Sequence, residues 1–171
     1  MSKQKITTFL WFKNEAEEAA KFYTSVFSNA PGGKESKLGK IARVDEVTAK
    51  AIGQKPGTVL TAEFELFGQN FVALNGNPAF NFNESVSFQI QCENQQEIDY
   101  YWEKLIAGGG AESQCGWLKD KFGVSWQVTP RILGELITDP KKSQRVMAAM
   151  MPMRKLEIDK LEEAAELVDS H

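Results

Sequence analysis

The chain has few of the residue types that build metal centres and disulfide frameworks. It contains one histidine, His171, which is the last of its 171 residues, and two cysteines, Cys92 and Cys115. Because catalytic metal ions depend on imidazole and carboxylate ligands, one terminal histidine excludes a histidine-based metal site. Two cysteines in a chain of this length are typical of buried thiols and not of a disulfide scaffold.

The sequence also lacks an excess of basic residues and a long apolar run. Its 20 Lys and Arg residues are outnumbered by 23 Asp and Glu residues, and the formal net charge is -3. This balance predicts that neither nucleic acid nor an anionic membrane surface is the main partner. No run approaches the roughly 20 apolar residues that cross a bilayer. The opening residues lead into a strand-like segment without a signal-peptide core, so we expect a cytoplasmic protein.

What the chain does contain is a pattern of strands and helices that occurs twice. Residues 6–12 have the composition of a strand, and Asn14 with Glu17 has the capping-box spacing of a helix start. The following apolar residues recur at helical spacing: Ala16, Ala19, Ala20, Tyr23, Val26 and Phe27. Further strands are predicted at residues 40–47, 58–67 and 70–75, with the last two joined at Gly68-Gln69.

The second half repeats this order. Residues 86–92 alternate as a half-buried strand does, and Asn94 with Glu97 repeats the capping box. Another helical stripe follows, made of Ile98, Tyr101, Trp102, Leu105 and Ile106. The glycines at 108–110 follow a helix and not a strand, so they are interpreted as a helix stop and not as a cofactor-binding loop. The repeated order indicates an internal duplication in an α+β protein.

Three segments resemble PhnB-like proteins of the vicinal-oxygen-chelate (glyoxalase/bleomycin resistance/dioxygenase) superfamily. Residues 14–27 are similar to the start of these proteins, residues 115–127 to their most specific signature, and residues 145–151 to the helical extension of longer members. The resemblance implies two βαβββ modules, at about 1–80 and 84–130, within a domain of residues 1–130. A C-terminal helical extension (131–171) and a homodimer are also implied. Such proteins are often labelled 3-demethylubiquinone-9 3-methyltransferase.

Metal-using relatives hold a divalent ion with four His, Glu or Gln ligands. The resemblance implies that these positions fall near Thr7 or Thr8, Val72 or Ala73, Ser87 and Gln127. Only Gln127 is a reasonable ligand, because hydroxyls and an aliphatic side chain do not supply the donors that a divalent ion needs. We therefore predict that the protein uses neither a metal ion nor another cofactor.

The open sheet faces of the two modules are predicted to form a cleft between them. Strand alternation and the resemblance assign ligand binding to Thr7, Phe9, Trp11, Ser87, Gln89, Gln91, Trp117 and Gln127. This mixture of aromatic and uncharged polar side chains suits a small organic molecule, although a solvated sheet face shows the same alternation. Glu63 and Glu65 share one strand face and are candidates for a catalytic acid or base, or for a solvated strand edge.

Three hypotheses for the function follow. The first is a metal-independent small-molecule binding protein that uses the cleft. The second is an isomerase, lyase or transferase with Glu63 or Glu65 as the base and Gln127 as an orienting group. The third is a structural or partner-binding homodimer that uses the C-terminal extension, so that deletion of residues 140–171 abolishes an interaction and leaves a folded core.

Overall fold

The computed structural model of the chain describes residues 5–33, 36–76 and 79–167. His171 and the opening residues 1–4, on which two sequence-based predictions rest, lie outside these ranges. The chain divides into two compact units, Met1–Phe82 and Asn83–His171.

The first unit contains one four-stranded sheet covered by a helix. Its elements are β1 (Thr8–Phe12), α1 (Ala16–Ser28), β2 (Lys37–Arg43), α2 (Glu46–Ile52), β3 (Val59–Leu66) and β4 (Gln69–Asn75). The strand order is β1-β4-β3-β2; β1 is parallel to β4, and the other neighbours are antiparallel. The predicted apolar stripe of α1 is confirmed, since all six of its residues are buried. It packs on the sheet face that carries Leu10, Phe12, Phe64 and Phe71.

The predicted capping box at Asn14 is wrong. The N-cap of α1 is Glu15, whose side chain accepts the N–H of the preceding Asn14 at 2.8 Å and does not cap the helix. Instead, the side-chain oxygen of Asn75, at the end of β4, accepts the N–H of Ala16 at 2.9 Å. The Asn75 amide nitrogen also donates to the Val59 carbonyl at 3.0 Å. A residue 59 positions away therefore satisfies the helix start, which local spacing does not reveal.

The predicted strand at residues 40–47 is also wrong at its end. β2 ends at Arg43, and Val47 lies in α2. The reason is a local cap, because the Asp45 carboxylate accepts the N–H of Thr48 at 2.7 Å and begins the helix. The β3–β4 turn consists of Phe67 and Gly68, both with positive φ (50° and 82°), so it lies one residue before the predicted Gly68-Gln69.

The second unit repeats the arrangement and adds a helical extension. Its elements are β5 (Ser87–Cys92), α3 (Gln95–Ile106), β6 (Ala111–Glu112), β7 (Trp117–Lys119), β8 (Ser125–Pro130), α4 (Leu133–Thr138), α5 (Ser143–Met150) and α6 (Ile158–Glu166). The strand order is β5-β8-β7-β6, with β5 parallel to β8. Both units therefore have the predicted βαβββ order, with α2 as an insertion in the first.

Two local predictions for the second unit are confirmed. The Asn94 side chain accepts the N–H of Glu97 at 3.0 Å and caps α3, while the Glu97 carboxylate accepts the N–H of Glu93. Gly108 and Gly109 follow α3 with positive φ (78° and 122°), as expected of a helix stop. Of the predicted α3 stripe, four residues are buried and Ile106 is half-buried.

The C-terminal extension packs as part of the second unit. α4, α5 and α6 surround a core cluster made of Leu133, Leu136, Val146, Met150, Leu156, Leu161 and Ala165. Backbone hydrogen bonds fasten this cluster to the loop before β7, from Cys115 N–H to the Met153 carbonyl (2.8 Å) and from Gly116 N–H to the Arg154 carbonyl (2.7 Å). Within the described residues, no helix is both long enough and apolar enough to cross a bilayer.

Candidate functional site

The open face of the first sheet carries an exposed group of aromatic side chains. Phe9 and Trp11 alternate along β1 with the buried Leu10 and Phe12, and they are 60% and 37% exposed. Phe80, which is 60% exposed, meets the Trp11 indole edge-on with 5.2 Å between ring centroids. Folded proteins rarely leave neighbouring aromatic rings in solvent, so this surface is a candidate for ligand contact.

Gly76 fixes the position of the Trp11 ring. A Cβ atom at residue 76 would lie 2.2 Å from Cζ2 of the indole, a distance that no real contact shows. The Gly76 N–H also donates to the Phe12 carbonyl at 2.9 Å, so the backbone of residue 76 is held beside β1. The indole therefore rests directly on backbone, which orients it for contact with a flat ligand.

A depression of about 350 Å³ lies on the same unit. Its wall brings Thr7 together with both predicted carboxylates, and it is completed by Lys37, Asn70 and Val72 among others. The register explains the grouping, because Glu65 pairs with Lys37 on one side and Asn70 on the other, and Glu63 pairs with Val72. Glu63 is exposed and Glu65 is half-buried. Across residues 5–33, 36–76 and 79–167, neither carboxylate has a hydrogen-bond or ion-pair partner.

The open face of the second sheet is a row of uncharged polar groups. In the parallel β5–β8 pair, Ser87 lies beside Ser125, Gln89 beside Gln127, and Gln91 beside Thr129. The Gln127 amide donates to Ser87 Oγ at 2.9 Å, and the Gln89 amide donates to Thr129 Oγ1 at 3.0 Å. Each amide keeps a second N–H and a carbonyl oxygen with which it can meet a ligand.

The two aromatic residues of this sheet have different surroundings. Trp117 is half-buried on β7 directly opposite Gln127, so it lies on the open face with the polar row. Trp126 is buried, and its indole N–H donates to the Asp120 carboxylate at 2.9 Å. Asp120 also accepts the N–H groups of Phe122 and Val124, which forms a tight turn before β8. Trp117 is thus available to a ligand, while Trp126 is part of the core.

One charged group borders the polar row. Lys119, two residues from Trp117 on β7, forms an ion pair with Glu84. The hydrogen bond from Lys119 holds the pKa of the Glu84 carboxyl below its ordinary value. Both side chains are well exposed, so this pair adds little stability and can rearrange on binding.

The residues at the four family metal positions do not fit a divalent ion. Gln127 keeps its amide oxygen as the one reasonable ligand atom, because only its N–H is used by Ser87, whereas Ser87, Thr7 and Val72 contribute two hydroxyls and one aliphatic side chain. In the part of the chain that the structure describes, no three His, Cys, Asp or Glu side chains are grouped as metal ligands. Metal independence stays a prediction.

The predicted ligand-binding residues thus fall on two surfaces. Thr7, Phe9 and Trp11 lie on the first unit, and Ser87, Gln89, Gln91, Trp117 and Gln127 lie on the second. The predicted shared cleft stays a prediction. Sequence reasoning missed Phe80 and Lys37: Phe80 lies in a loop, where no periodicity marks a facing side chain, and Lys37 lies before the predicted start of its strand.

Known proteins resemble this chain in sequence and in fold. The model of the 3-demethylubiquinone-9 3-methyltransferase family matches residues 4–129. The PhnB protein from Bacillus cereus is 40% identical, with a TM-score of 0.63 over 74% of this chain and 99% of its own. The chain belongs to this family. The predicted resemblance to PhnB-like proteins is confirmed.

A second solved structure shares the fold. Protein PA1353 from Pseudomonas aeruginosa is 17% identical, with a TM-score of 0.55 over 75% of this chain and 98% of its own, which shows a shared fold. No curated protein matches the chain. Because the family match ends at residue 129, α4, α5 and α6 lie outside it.

Proposed function

We propose that this member of the family binds a small organic molecule, without a metal ion, on the open faces of its sheets. The observation that carries the proposal is the exposed aromatic group of Phe9, Trp11 and Phe80 on the unit that also holds a polar depression. Binding sites for small molecules combine apolar and aromatic walls with a few polar groups that fix orientation. The first unit has both, since Phe9 pairs with Val72 of the depression, and the depression, with a volume of about 350 Å³, suits a ligand of modest size.

The surface favours a ligand with a flat apolar part and at least one hydrogen-bonding group. Phe9 and Trp11 offer ring faces and edges to the flat part. Thr7 and Asn70 can orient a polar group in the depression, and Glu63 and Glu65 favour a group that donates hydrogen bonds. On the second sheet, Gln127 and Gln91 supply neutral donors and acceptors beside Trp117. A homodimer in the cytoplasm is part of the same proposal.

The second candidate is an enzyme of the isomerase, lyase or transferase type. The observation that favours it is that Glu63 and Glu65 line the depression and, among the described residues, have no hydrogen bond or ion pair that occupies them. A carboxylate that faces a ligand in this way can accept a proton from it. A methyltransferase, as the family description has it, would need a methyl donor, and the glycines at 108–110 end a helix and do not form a loop for one.

The first test is native mass spectrometry of the untagged protein, purified gently from its own host. The absence of a tag matters because added histidines bind metal ions themselves. The proposal expects a discrete organic mass that a chelator does not remove. A stoichiometric metal adduct that the chelator removes would contradict metal independence.

Matched variants then locate the ligand. Trp11→Ala and Gln127→Ala probe the two sheets, and Val47→Ala and Gln144→Ala are controls with exposed side chains on α2 and α5. Loss of a ring contact at Trp11 should weaken binding about tenfold or more, while the controls leave it unchanged. Unchanged affinity in both Trp11→Ala and Gln127→Ala would exclude the open faces.

The enzyme candidate has its own variants. If Glu63 or Glu65 is the base, Glu63→Gln or Glu65→Gln should abolish turnover of the identified ligand and leave its affinity within a few-fold. Turnover that survives both substitutions would remove the carboxylates from the mechanism and leave binding as the function.

A further inference from the structure

A second concave surface lies entirely in the second unit, away from its polar row. It is a groove of about 530 Å³ between α3, β6 and the segment that leads from α5 into α6. Its floor includes Trp102 and Met153, and its rim carries Glu112, Arg154, Lys155 and Lys160. The part contributed by the extension lies beyond residue 129, where the family match ends.

Hydrogen bonds on both sides hold this groove in shape. The carbonyls of Met153 and Arg154 accept the N–H groups of Cys115 and Gly116 at 2.8 and 2.7 Å. The Gln95 side chain donates to the Leu156 carbonyl at 3.1 Å and accepts the Ile158 N–H at 2.9 Å. The segment from 153 to 158 is therefore fixed in two places, and a ligand would not have to order it.

The charges of the groove favour an anion. Arg154, Lys155 and Lys160 each form one ion pair, with Glu112 (3.2 Å), Asp99 (2.6 Å) and Glu157 (2.7 Å). A guanidinium has five N–H donors and an ammonium three, and each of these contacts uses one. Within the described ranges these cations have no further hydrogen bond, so their remaining donors are available.

The carboxylate on the rim is less available than the cations. One Glu112 oxygen accepts the Trp102 indole N–H at 2.8 Å, and the other accepts Arg154. The Trp102 hydrogen bond first, and then Arg154, hold the pKa of the Glu112 carboxyl below its ordinary value. Both of its oxygens are thus engaged, and Glu157 is the remaining carboxylate in the lining. The lining therefore carries three cations and two carboxylates, and this excess of one positive charge favours an anionic ligand.

We propose that this groove binds a small organic anion, with one carboxylate, sulfonate or phosphate group and an apolar body. The anionic group accepts hydrogen bonds from Arg154 and Lys160, whose exposed ion pairs are weak enough to rearrange. The apolar body lies against Met153 and the neighbouring Ala149 and Pro152. This site is separate from the residues of the proposed function.

The test uses 1-anilinonaphthalene-8-sulfonate, whose fluorescence increases on binding, and the uncharged N-phenyl-1-naphthylamine, which has the same rings without the sulfonate. Both are titrated into the full chain and into Arg154→Gln and Lys160→Gln. Lys141→Gln, at an exposed lysine outside the groove, is the matched control, and Trp11→Ala removes the aromatic surface of the first unit. Thermal unfolding of each variant checks that it is folded.

We expect Arg154→Gln and Lys160→Gln each to weaken binding of the sulfonate about five-fold, also in a Trp11→Ala background, with Lys141→Gln unchanged. The uncharged analogue should bind more weakly than the sulfonate to the unmodified chain. Equal affinity of the two probes, an unchanged sulfonate affinity in both groove variants, or no sulfonate binding at millimolar concentration would each overturn the proposal. Loss of binding in Trp11→Ala alone would overturn it too, and would place the probe on the first sheet. If Arg154→Gln does not fold, Lys160→Gln decides, because Lys160 is exposed and its ion pair is a local one with Glu157, at the start of its own helix.

Discussion

Replacement of Leu156 by alanine tests whether the C-terminal extension is part of the core of the second unit. Leu156 precedes α6, is fully buried and belongs to the core cluster of the extension. It also lies over Gly116, since a Cβ atom at that glycine would be 3.1 Å from a Leu156 methyl group. Its side chain therefore joins the extension to the loop before β7 by packing, and its backbone carbonyl accepts a hydrogen bond from Gln95, which begins α3.

The expected loss of stability follows from this burial. A leucine that is completely removed from water and replaced by alanine loses its transfer free energy and leaves a cavity, for a total of about 3 to 5 kcal/mol. The value should lie in the upper part of this range, because Gly116 and the backbone of the loop cannot collapse into the space without breaking the hydrogen bonds to Met153 and Arg154. A single domain has a total stability of roughly 5–15 kcal/mol, so the change is large.

Urea unfolding followed by tryptophan fluorescence measures this loss. Trp102, Trp117 and Trp126 report on the second unit, and a Trp11→Phe background removes the signal of the first. Leu167→Ala is the matched control, because this leucine belongs to the same extension and is 62% exposed. It should change the free energy of unfolding by less than about 0.5 kcal/mol.

A loss below about 1 kcal/mol in Leu156→Ala would refute the reasoning, since it would mean that the extension is not packed as a core. The extension would then fit the hypothesis of a partner-binding tail, in which deletion of residues 140–171 leaves a folded core. If the packing is as described, that deletion unfolds the second unit.

Two further predictions concern buried polar groups. Asn75→Ala removes the acceptor of the Ala16 N–H and the donor to the Val59 carbonyl. The free energy of unfolding, measured by urea titration, should therefore fall by about 2 to 4 kcal/mol. Asn81→Ala, at an exposed asparagine, is the control and should have little effect. A fall as small as the control's would show that Asn75 does not cap α1. Burial first, and then Glu97 and Glu93, raise the pKa of the Cys92 thiol to about 12, so at pH 8 about one molecule in 10⁴ carries the thiolate. A disulfide reagent should therefore titrate one fast thiol, the half-buried Cys115, in the native protein and two thiols after denaturation. Because the pKa of Cys92 is raised in the folded state, this thiol stabilises the fold below pH 9 and loses that contribution as the pH rises towards 12. Two equally fast thiols in the native protein would contradict the burial of Cys92.

Periodicity along the chain was sufficient to predict the elements that bury one face. The stripe of α1 and the alternation of β1 and β5 are patterns of neighbouring residues, and each is confirmed by burial. The same holds for the Asn94 cap, in which both partners lie within a few residues of each other. These features depend only on the spacing of residues that are close in the sequence, so they can be predicted from the sequence.

Contacts between distant residues were decided by the tertiary structure alone. Asn75 and not Asn14 satisfies the start of α1, because the end of β4 is held beside it. Phe80 meets Trp11, and Lys37 joins Glu63 and Glu65, because chain segments far apart in sequence pack together. The groove around Arg154 requires α3, β6 and the extension at once. The sequence by itself determined which face of each element is apolar. The tertiary structure decided which polar and aromatic side chains meet on the other face, because those meetings depend on which segments lie side by side, and periodicity does not record the pairing of segments.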